Sequence, residues 1–454
     1  RLRQLNDGAA PAARTHLPCP TLPRFARGTM SRLPPASSKR VLADLQQLRT
    51  LTEDARGAQR VAWGPVWRKA REWFVKKAEK EAGLRVKRDG AANLWASMPG
   101  RSKQSVLFGS HLDSVPGGGW LDGCLGVMAG LEVMRRYAAA GEPPPVTLHL
   151  VDWADEEGAR FGRSLMGSAA AAGTLDPKQE LAHLVDRAGL KLPDALKENG
   201  VTLDGMRKAA RDFEALRAAA YLELHIEQGP VLESLKKPVG VVLGSMGVER
   251  FQLRFVGQAA HSGAAPLHLR KDAFLAAASF AVACNELGCA LSGKTPRTRV
   301  VATCGVVKVE PNFVTAVPGA AEISIDMRAL DAEVLAQMLA GAKRAAKIAA
   351  KKYRVELSFD PLLRITPRIF DETLTRFVRQ SVKEVSGSAP DLPSGPLHDA
   401  SEMAGIVPTA MVFAQSSPGI SHTRIEDSPK AALDQSIRAF LGAVDRTVQH
   451  VAGA

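Results

Sequence analysis

The sequence predicts an α/β fold in which a mixed sheet with helices on both faces carries a smaller inserted domain. Three observations lead to this expectation. Short apolar runs of strand length alternate with segments whose apolar residues recur at helical spacing. From about Val241 the order changes to strand, helix, two strands, helix and strand, which is the split βαβ order of a ferredoxin-like domain. The length of 454 residues also exceeds what one hydrophobic core usually serves.

Helices and strands alternate in the first half of the chain. In order, we predict helices at 41–48 and 67–82, a hairpin at 84–98, a strand at 105–108, a helix at 127–141, and strands at 146–153 and 221–226. The hairpin turns at Asp89-Gly90, a dipeptide that favours tight turns. A glycine-rich loop, residues 109–126, lies between the strand and the helix that flank it. Ligands usually bind at such a strand-to-helix junction in an open α/β sheet.

The inserted domain is expected at residues 243–364, with the larger domain at residues 30–242 and 365–454. Its predicted elements are strands at 249–256, 299–309, 321–330 and 354–363, and helices at 272–287 and 332–352. Beyond residue 365 the pattern of the larger domain resumes, and an apolar strand at 409–413 leads towards Ser421-His422. We expect hinges near residues 240–245 and 362–366, where the chain passes between the two domains.

The N-terminal segment, residues 1–29, is rich in proline and arginine and precedes Met30. We interpret it as a transit-like presequence, an upstream translated stretch or an expression remnant, expect it to be disordered, and exclude it from the fold. The rest has an ordinary globular composition, and no apolar run reaches the roughly 18 residues of a membrane span. The sequence therefore predicts a soluble protein without a membrane partner.

The net charge and the cysteine content limit the partners and the cellular compartment that the sequence predicts. The net charge of +13 is dispersed over helix-like segments, which favours solvated helix faces over nucleic-acid binding. A basic surface also favours small anionic substrates. Five cysteines, an odd number without paired metal-type spacing, argue against a disulfide framework and favour a reducing cytoplasm.

Metal-ligand side chains follow four separated apolar strands. They are His111 with Asp122, Glu156 with Glu157, His225, and His422. Each alone has an ordinary explanation, since a lone histidine is more often a core or surface residue and an acidic pair often begins a helix. Their joint occurrence at strand ends is what indicates a metal site, because such ends meet at one edge of a sheet.

Two local features strengthen this interpretation. Asp113 follows His111 by two residues, which suits it to hold the other ring nitrogen and fix the tautomer. Glu156 and Glu157 are adjacent and cannot point the same way, so one can bind metal while the other stays free as a base. The sequence thus offers both a metal site and a proton acceptor.

Several motifs together resemble a known family. They are Gly-Ser-His-Leu-Asp-Ser-Val-Pro at 109–116, Leu-Asp-Gly at 121–123, Asp-Glu-Glu-Gly-Ala-Arg-Phe at 155–161, Leu-His-Ile-Glu-Gln-Gly-Pro at 224–230 and Gly-Ile-Ser-His at 419–422. The chain resembles the dinuclear metallo-amidohydrolase branch of the M20 peptidase clan. Within it, residues 38–440 are most similar to N-carbamoyl-L-amino-acid hydrolases, with allantoate amidohydrolases and one type of β-ureidopropionase as relatives.

The resemblance implies a role for each residue. It implies two divalent ions per subunit, with zinc, manganese, cobalt or nickel all suited to ligands of this kind. The implied ligands are His111, Asp122, Glu157, His225 and His422, with Asp122 bridging the two ions. Glu156 is implied as the general base.

Further residues match family positions around the substrate. The segment Gly-Gln-Ala-Ala-His-Ser-Gly at 257–263 implies that His261 stabilises the developing oxyanion, although a turn histidine is the simpler alternative. Asn312 and Arg328 match positions that bind the substrate carboxylate, and a surface salt bridge is the alternative for Arg328. Gln228 matches a contact with the polar end of the substrate. His398 falls behind the site.

The implied reaction is hydrolysis of the ureido C–N bond of an N-carbamoyl amino acid, giving amino acid, carbon dioxide and ammonia. His111 and Asp122 are 11 positions apart and the fourth ligand is an imidazole rather than a carboxylate, which favours an amidohydrolase over a clan peptidase. Pro396-Leu397 replace a small Ala-Gly pair of the relatives, so the pocket lining and the exact substrate stay open. Allantoate amidohydrolase or β-ureidopropionase activity is the alternative.

Two other hypotheses are weaker. A dinuclear aminoacylase or dipeptidase shares the site chemistry. A catalytically silent binding or dimerisation module would have lost Glu156 or a ligand, and this sequence keeps all of them. The resemblance also implies a homodimer through the inserted lid domain, in which His261 completes the active site of the partner subunit.

Overall fold

A computed structural model describes residues 33–293 and 295–454. The predicted presequence, residues 1–29, lies outside these described residues. In chain order the first elements are α1 (Ser38–Thr52), β1 (Glu53–Asp54), β2 (Gly57–Ala58), α2 (Pro65–Ala82), β3 (Arg85–Arg88), β4 (Leu94–Met98), β5 (Ser102–His111), α3 (Cys124–Ala139), β6 (Val146–Trp153), α4 (Met166–Ala172), α5 (Pro177–Glu180), α6 (Leu192–Glu198), α7 (Leu203–Met206), α8 (Ala209–Glu214), β7 (Ala218–Ile226), α9 (Val231–Ser234) and β8 (Val239–Ser245).

The remaining elements first form a second large sheet and a small sheet of two strands, and then return to the first sheet. The second group is β9 (Gly247–Val256), β10 (Ala260–His261), α10 (Ala273–Leu291), β11 (Val300–Thr303), β12 (Val307–Glu310), β13 (Ala316–Val317), β14 (Ala320–Ala329), α11 (Ala332–Tyr353) and β15 (Glu356–Ile365), with short 3-10 helices at Leu267–Leu269 and Pro296–Thr298. The last group is β16 (Arg368–Ile369), α12 (Glu372–Ser386), β17 (Asp391–Ser394), α13 (Asp399–Met403), β18 (Thr409–Ala414) and α14 (Lys430–Gly453).

The first sheet has nine strands in the order β16-β8-β18-β7-β5-β6-β4-β3, with β17 beside β8. Its centre, β18-β7-β5-β6, is parallel, whereas β8, β4 and β3 join antiparallel. Successive residues of β5 serve opposite faces, so Phe108 packs in the core with α3 and α14 while Leu107 packs in the core with α13. Both faces are therefore covered, which confirms the predicted mixed α/β architecture and explains why the central strands read as unbroken apolar runs.

The parallel centre brings the predicted chemistry to one edge. β5 ends at His111, β6 ends directly before the segment with Glu156, and His225 is the penultimate residue of β7. β18 is their parallel neighbour and leads into the loop with His422. The carboxyl ends of these four strands meet at the same sheet edge, as the sequence predicted.

The second sheet has its own core. Its order is β11-β14-β9-β15 with β12 also beside β14, all antiparallel, and α10 and α11 pack on it. The prediction of one continuous strand at 299–309 was wrong. β11 and β12 both pair with β14, but the chain leaves the ladder between Thr303 and Val307, where Gly305 lies. Glycine weakens a strand interior because it has no side chain to pack and loses more backbone entropy.

α10 departs from the expectation that no segment has the character of a membrane span. Among the described residues it is the helix long and apolar enough to cross a membrane by length and composition, and 22% of its most apolar window is buried. Its buried side chains, such as Phe280 and Cys284, lie in the second core. Scattered small and polar residues hide this helix from a search for an unbroken apolar run, although its average hydropathy is high.

Candidate metal centre

The loop after β5 folds so that His111 and Asp122 face one another. Gly123 separates Asp122 from α3 and has a φ of +66°, and a Cβ at that position would lie 2.5 Å from three atoms of the His111 ring. The start of α3 also approaches β7 closely, since a Cβ at Gly126 would lie 2.4 Å from the carbonyl oxygen of Leu224. Glycine is needed at both places because a side chain would displace the imidazole or the helix.

Three buried side chains, His111, Asp122 and His225, form a first cluster whose ligand atoms lie within 4.8 Å of one another. Asp122 Oδ1 lies 3.1 Å from His225 Nε2 and 3.7 Å from His111 Nε2. His111 Nε2 is buried and has no hydrogen-bond partner within the described residues. A buried, unpartnered ring nitrogen beside a carboxylate fits a bound cation.

The second cluster is Asp122, Glu157 and His422, again with ligand atoms within 4.8 Å. His422 Nε2 lies 3.4 Å from Asp122 Oδ2 and 3.2 Å from Glu157 Oε2. The His422 side chain is half exposed, so this cluster lies at the more open side of the site. Asp122 belongs to both clusters and turns one oxygen towards each, which is how a carboxylate bridges two cations.

The two buried histidines turn Nδ1 to the backbone and Nε2 towards Asp122, and His225 Nε2 also accepts the backbone N–H of Gly123 at 3.2 Å. His225 Nδ1 lies 2.8 Å from the carbonyl oxygen of Ile226, and His111 Nδ1 lies 3.2 Å from that of Asp113. Because a carbonyl oxygen only accepts, each Nδ1 donates, and in the neutral ring Nε2 is then the atom with the lone pair. Metal-binding histidines are usually held in this way.

Asp113 was expected to hold the second ring nitrogen of His111. Its carboxylate lies 3.6 Å from His111 Nδ1, and its own carbonyl oxygen is nearer. The carboxylate instead accepts the backbone N–H groups of Glu156 at 3.3 Å and Glu157 at 3.1 Å. Asp113 therefore ties the end of β5 to the segment after β6, a contact that is invisible in the sequence because the donors are backbone groups.

Burial and neighbouring charges shift the pKa values of three acidic side chains, upwards for Glu156 and Glu157 and downwards for Asp122. Burial raises the pKa of Glu156 well above its usual range, although His111 acts against the shift. Burial and the charge of Asp122 do the same to the pKa of Glu157. Burial also acts on Asp122, but the hydrogen bond and charge of His225 keep the pKa of Asp122 below its usual range. Such crowded carboxylates ionise together when cations balance them, so this donor set fits divalent ions.

A cavity of about 420 Å³ opens over both clusters. Its lining comprises Asp122, Glu156, Glu157, Ser164, His225, Gln228, Arg328, Pro396, Leu397, His398, Ser421 and His422. Gln228 Nε2 donates to Asp122 Oδ2 at 2.9 Å, which places its amide beside the shared carboxylate. Pro396 and Leu397 give the cavity an apolar wall opposite these polar groups.

Arg328 lines the cavity but is already partly engaged. Its Nε and Nη2 donate to the two oxygens of Asp326 at 2.8 and 3.2 Å, and Nη1 donates to the carbonyl oxygen of Gly395 at 2.8 Å. A guanidinium has five N–H donors, so two remain. Both the predicted pocket position and the alternative, a salt bridge, are thus present in the structure.

His398 lies behind the first cluster. Its ring is 4.3 Å from that of His225, and burial lowers the pKa of His398. Glu223, on β7 below it, accepts the Ser110 hydroxyl at 2.8 Å and the backbone N–H of Ala400 at 2.9 Å. These contacts fix β7 and the start of α13 against each other beneath the metal-type residues.

Two predicted residues, His261 and Asn312, belong neither to the ligand clusters nor to the cavity lining. His261 ends β10, is exposed, and accepts the N–H of Gly263 on Nδ1 at 3.1 Å. Asn312 is also exposed and has a φ of +54°. His261 belongs to a separate two-stranded sheet of β10 and β13, and Asn312 lies in the loop between β12 and β13. Neither is among the residues that line the cavity.

Sequence reasoning missed three residues. Ser164 and Ser421 line the cavity, and Ser421 Oγ lies 3.1 Å from Asp122 Oδ2. Glu426 is buried beside the same loop and accepts the backbone N–H of Asp122 at 3.1 Å. In the sequence, Ser421 and Glu426 stand out only because they lie close to His422. Nothing else in that polar segment distinguishes them.

Comparisons with known proteins agree with this geometry. Residues 107–446 match the family described as peptidase family M20/M25/M40. The chain is 36% identical over 377 residues to an N-carbamoyl-L-amino acid amidohydrolase of Geobacillus stearothermophilus, covering 82% of this chain and 89% of the relative. It is 30% identical over 390 residues to the allantoate amidohydrolase of Escherichia coli K12, covering 86% of this chain and 92% of the relative.

A solved structure has the same architecture. The amidase of the hydantoinase/carbamoylase family from Burkholderia multivorans superposes with a TM-score of 0.81 at 31% identity, covering 90% of this chain and 97% of the other. Together with the sequence match, this confirms the resemblance drawn from the motifs. The chain belongs to peptidase family M20/M25/M40 and is a hydrolase of amide bonds.

Proposed function

We propose that the protein hydrolyses the ureido C–N bond of N-carbamoyl amino acids and releases the amino acid, carbon dioxide and ammonia. The observation that carries the proposal is Asp122, which turns one oxygen towards each of two clusters of ligand type under a cavity. The similarity to N-carbamoyl-L-amino acid amidohydrolases over most of both chains supports the choice of substrate class.

The proposed cofactor is a pair of divalent ions per subunit. His111, Asp122 and His225 would hold one ion, and Asp122, Glu157 and His422 the other. Zinc is our first candidate, and manganese, cobalt and nickel suit the same nitrogen and oxygen donors. When bound, such a pair polarises a carbonyl oxygen and makes a water molecule more acidic.

Glu156 is the proposed general base. Its Oε2 lies 3.6 Å from His111 Nε2, at the edge of the first cluster, and its side chain lines the cavity. In that position it would take a proton from the attacking water and pass it to the leaving nitrogen. Asp113 supports this role by holding the Glu156 backbone, and His398 by packing behind His225.

The substrate would lie between polar and apolar walls. Arg328, with its two remaining donors, is proposed to bind the carboxylate, and Gln228 to contact the ureido end. Leu397 and Pro396 would face the substrate side chain. Asn312, in the loop after β12, and His261, at the end of β10, are exposed, so they would join the site only from another position or another subunit.

We further propose that residues 243–364 form a ferredoxin-like lid and dimerisation domain, inserted in a catalytic domain of residues 30–242 and 365–454. The surface near His261 carries exposed apolar side chains, with Leu267 79% and Val314 96% exposed. Exposed apolar groups of this kind mark interaction sites. In a homodimer joined through this domain, His261 of one subunit would stabilise the oxyanion in the other, and closure of the lid would exclude water.

We propose a cytoplasmic location because the described cysteines form no disulfide. The four described cysteines, Cys124, Cys284, Cys289 and Cys304, are free thiols, which suits a reducing compartment.

The second candidate function is allantoate amidohydrolase activity, which the relative in Escherichia coli supports at 30% identity. The discriminating experiment is ammonia release over a panel of N-carbamoyl-L-α-amino acids, N-carbamoyl-β-alanine and allantoate. Metal analysis on the same sample accompanies it. We expect the highest kcat/KM on an N-carbamoyl-L-α-amino acid. A higher value on allantoate or on N-carbamoyl-β-alanine would replace the first proposal, and no release from any of them by metal-loaded protein would refute it.

A further inference from the structure

We propose that Glu426 is a positioning residue that joins the loop of Asp122 to the loop of His422 and so sets the spacing of the two ligand clusters. The inference rests on the proposed metal centre. Glu426 does not reach the cavity lining and carries no role from the sequence motifs. Its contacts, however, all converge on residues that hold the clusters together.

The Glu426 carboxylate uses its two oxygens on two different loops. Oε1 accepts the backbone N–H groups of Leu121 at 3.2 Å and Asp122 at 3.1 Å, across more than 300 positions of sequence. Oε2 accepts the hydroxyl of Ser421, the residue directly before His422. The side chain is 1% exposed, so water does not compete for these contacts. One carboxylate thereby fixes both the backbone of Asp122 and the neighbour of His422.

Ser421 extends this link to the shared carboxylate. Its Oγ lies 3.1 Å from Asp122 Oδ2, the oxygen that faces His422. Glu426 therefore holds the backbone N–H of Asp122 directly and also holds the Ser421 hydroxyl, which lies beside the Asp122 carboxylate and has a single proton for the two carboxylates. A small rotation of the Asp122 carboxylate would move one oxygen away from its cluster, so its orientation matters more than that of a ligand that serves one ion.

Gly119 gives independent support for a built contact. A Cβ at position 119 would lie 2.0 Å from Glu426 Oε1, so the carboxylate occupies the space that any other residue's side chain would take. The Gly119 backbone is outside the left-handed region, which means that alanine would meet no backbone strain there. Glycine is therefore required at position 119 because the Glu426 carboxylate fills the space that a side chain would occupy.

Buried carboxylates can also serve stability alone, and Glu132 provides the comparison. It is fully buried and, like Glu426, accepts three hydrogen bonds, from Ser37 N and from Nε and Nη2 of Arg40. Its partners belong neither to the ligand clusters nor to the cavity lining. Glu132→Gln is therefore a matched control, since it disturbs a buried, hydrogen-bonded carboxylate without touching the loops of Asp122 or His422.

The test is titration of the metal-free protein with Co²⁺, followed by the visible absorption of the bound ion. Glu426→Ala and Gly119→Ala should each weaken binding of at least one Co²⁺ about 10–100-fold and change the spectrum, as loss of a group that orients metal ligands does. Glu426→Gln keeps an oxygen for the two N–H donors and should lose less. Glu132→Gln should lower the melting temperature while leaving Co²⁺ affinity and spectrum at wild-type values.

The outcomes separate this inference from the proposed function. Wild-type Co²⁺ affinity and spectrum in Gly119→Ala and Glu426→Ala would overturn it, as would equal losses in Glu426→Gln and Glu426→Ala. If Glu426→Ala does not fold, Gly119→Ala and Glu426→Gln decide the question. The titration uses no substrate, so a wild-type protein that binds two Co²⁺ but releases no ammonia would refute the substrate and leave Glu426 intact.

Discussion

Glu156 and Glu157 are neighbours in sequence but face different groups. Glu156 Oε2 lies 3.6 Å from His111 Nε2, whereas Glu157 Oε2 lies 3.2 Å from His422 Nε2. Asp113 holds the backbone N–H of both residues, which fixes the peptide from which the two side chains diverge. The arrangement allows one glutamate to bind an ion while the other handles a proton.

This division predicts different results for two matched variants. Glu156→Gln should retain two metal equivalents and lose about 10²–10⁴-fold in kcat, the usual contribution of a positioned general base. Glu157→Gln should lose metal from the second cluster as well as activity. Metal analysis and steady-state rates on the same preparations check both. Wild-type turnover in Glu156→Gln, or equal metal loss in the two variants, would show that the roles are assigned wrongly.

Single residues were predictable only where the group itself carries the chemistry. His111, Asp122, Glu157, His225 and His422 come together because each lies at or after the carboxyl end of a parallel strand in the centre of one mixed sheet. Contacts made through backbone groups left no trace in the sequence. Three sets of such contacts were found only from the three-dimensional structure. They are the hydrogen bonds that Asp113 accepts from the backbone of Glu156 and Glu157, the bond from Arg328 to Gly395, and the bonds on which the role of Glu426 rests.

Among the elements, β6 carries a buried histidine beside β4. His149 Nδ1 lies 2.8 Å from Ser97 Oγ on the paired strand, and burial lowers the pKa of His149 to about 4. An unfolded histidine titrates near 6.5. Between these pH values His149 is protonated in the unfolded chain but not in the folded chain. The free energy of unfolding must therefore fall as the pH drops from about 6.5 towards 4.

The His149→Gln variant tests this linkage. Wild-type protein should lose up to about 3 kcal/mol of unfolding free energy through this group between pH 7 and pH 4.5, and the variant should lack that part of the loss. Urea unfolding at the two pH values measures it. His268→Gln is the control, since His268 is exposed. An identical pH dependence in wild type and His149→Gln would contradict the account.

At the scale of elements, periodicity identified most strands and helices but not their interruptions. The hairpin at Asp89-Gly90 is present as β3 and β4, because both the turn dipeptide and the alternating strands are local features. The strand expected at 299–309 breaks into β11 and β12, since its pairing with β14 is decided by a distant strand. The apolar character of α10 was missed because single polar residues interrupt it.

The two large sheets of the described residues meet at the site. Arg328 projects from β14 of the second sheet and donates to Gly395, which follows β17 of the first. This contact joins the two units at the cavity wall. His261 and Asn312 stay outside that cavity. The order of elements predicted most strands and helices of the two large sheets, but their contact through Arg328 depends on tertiary packing that no local pattern records.

A mixing experiment tests the proposed sharing of the site between subunits. His261→Ala and Glu156→Gln should each be inactive, but a mixed dimer would contain one site with an intact Glu156 and an intact His261 from the partner. Random reassembly should then restore about a quarter of wild-type activity. Sedimentation establishes the dimer in each sample. No recovery in verified mixed dimers, or an active wild-type monomer, would rule out the shared site.

The most direct measurement of the central claim is ammonia release from an N-carbamoyl-L-amino acid as cation is added to metal-free protein. If Asp122 bridges two ions that act together, the rate should reach its plateau at two equivalents per subunit and be negligible without cation. A plateau at one equivalent, full activity in metal-free protein, or no ammonia at any equivalence would contradict the account.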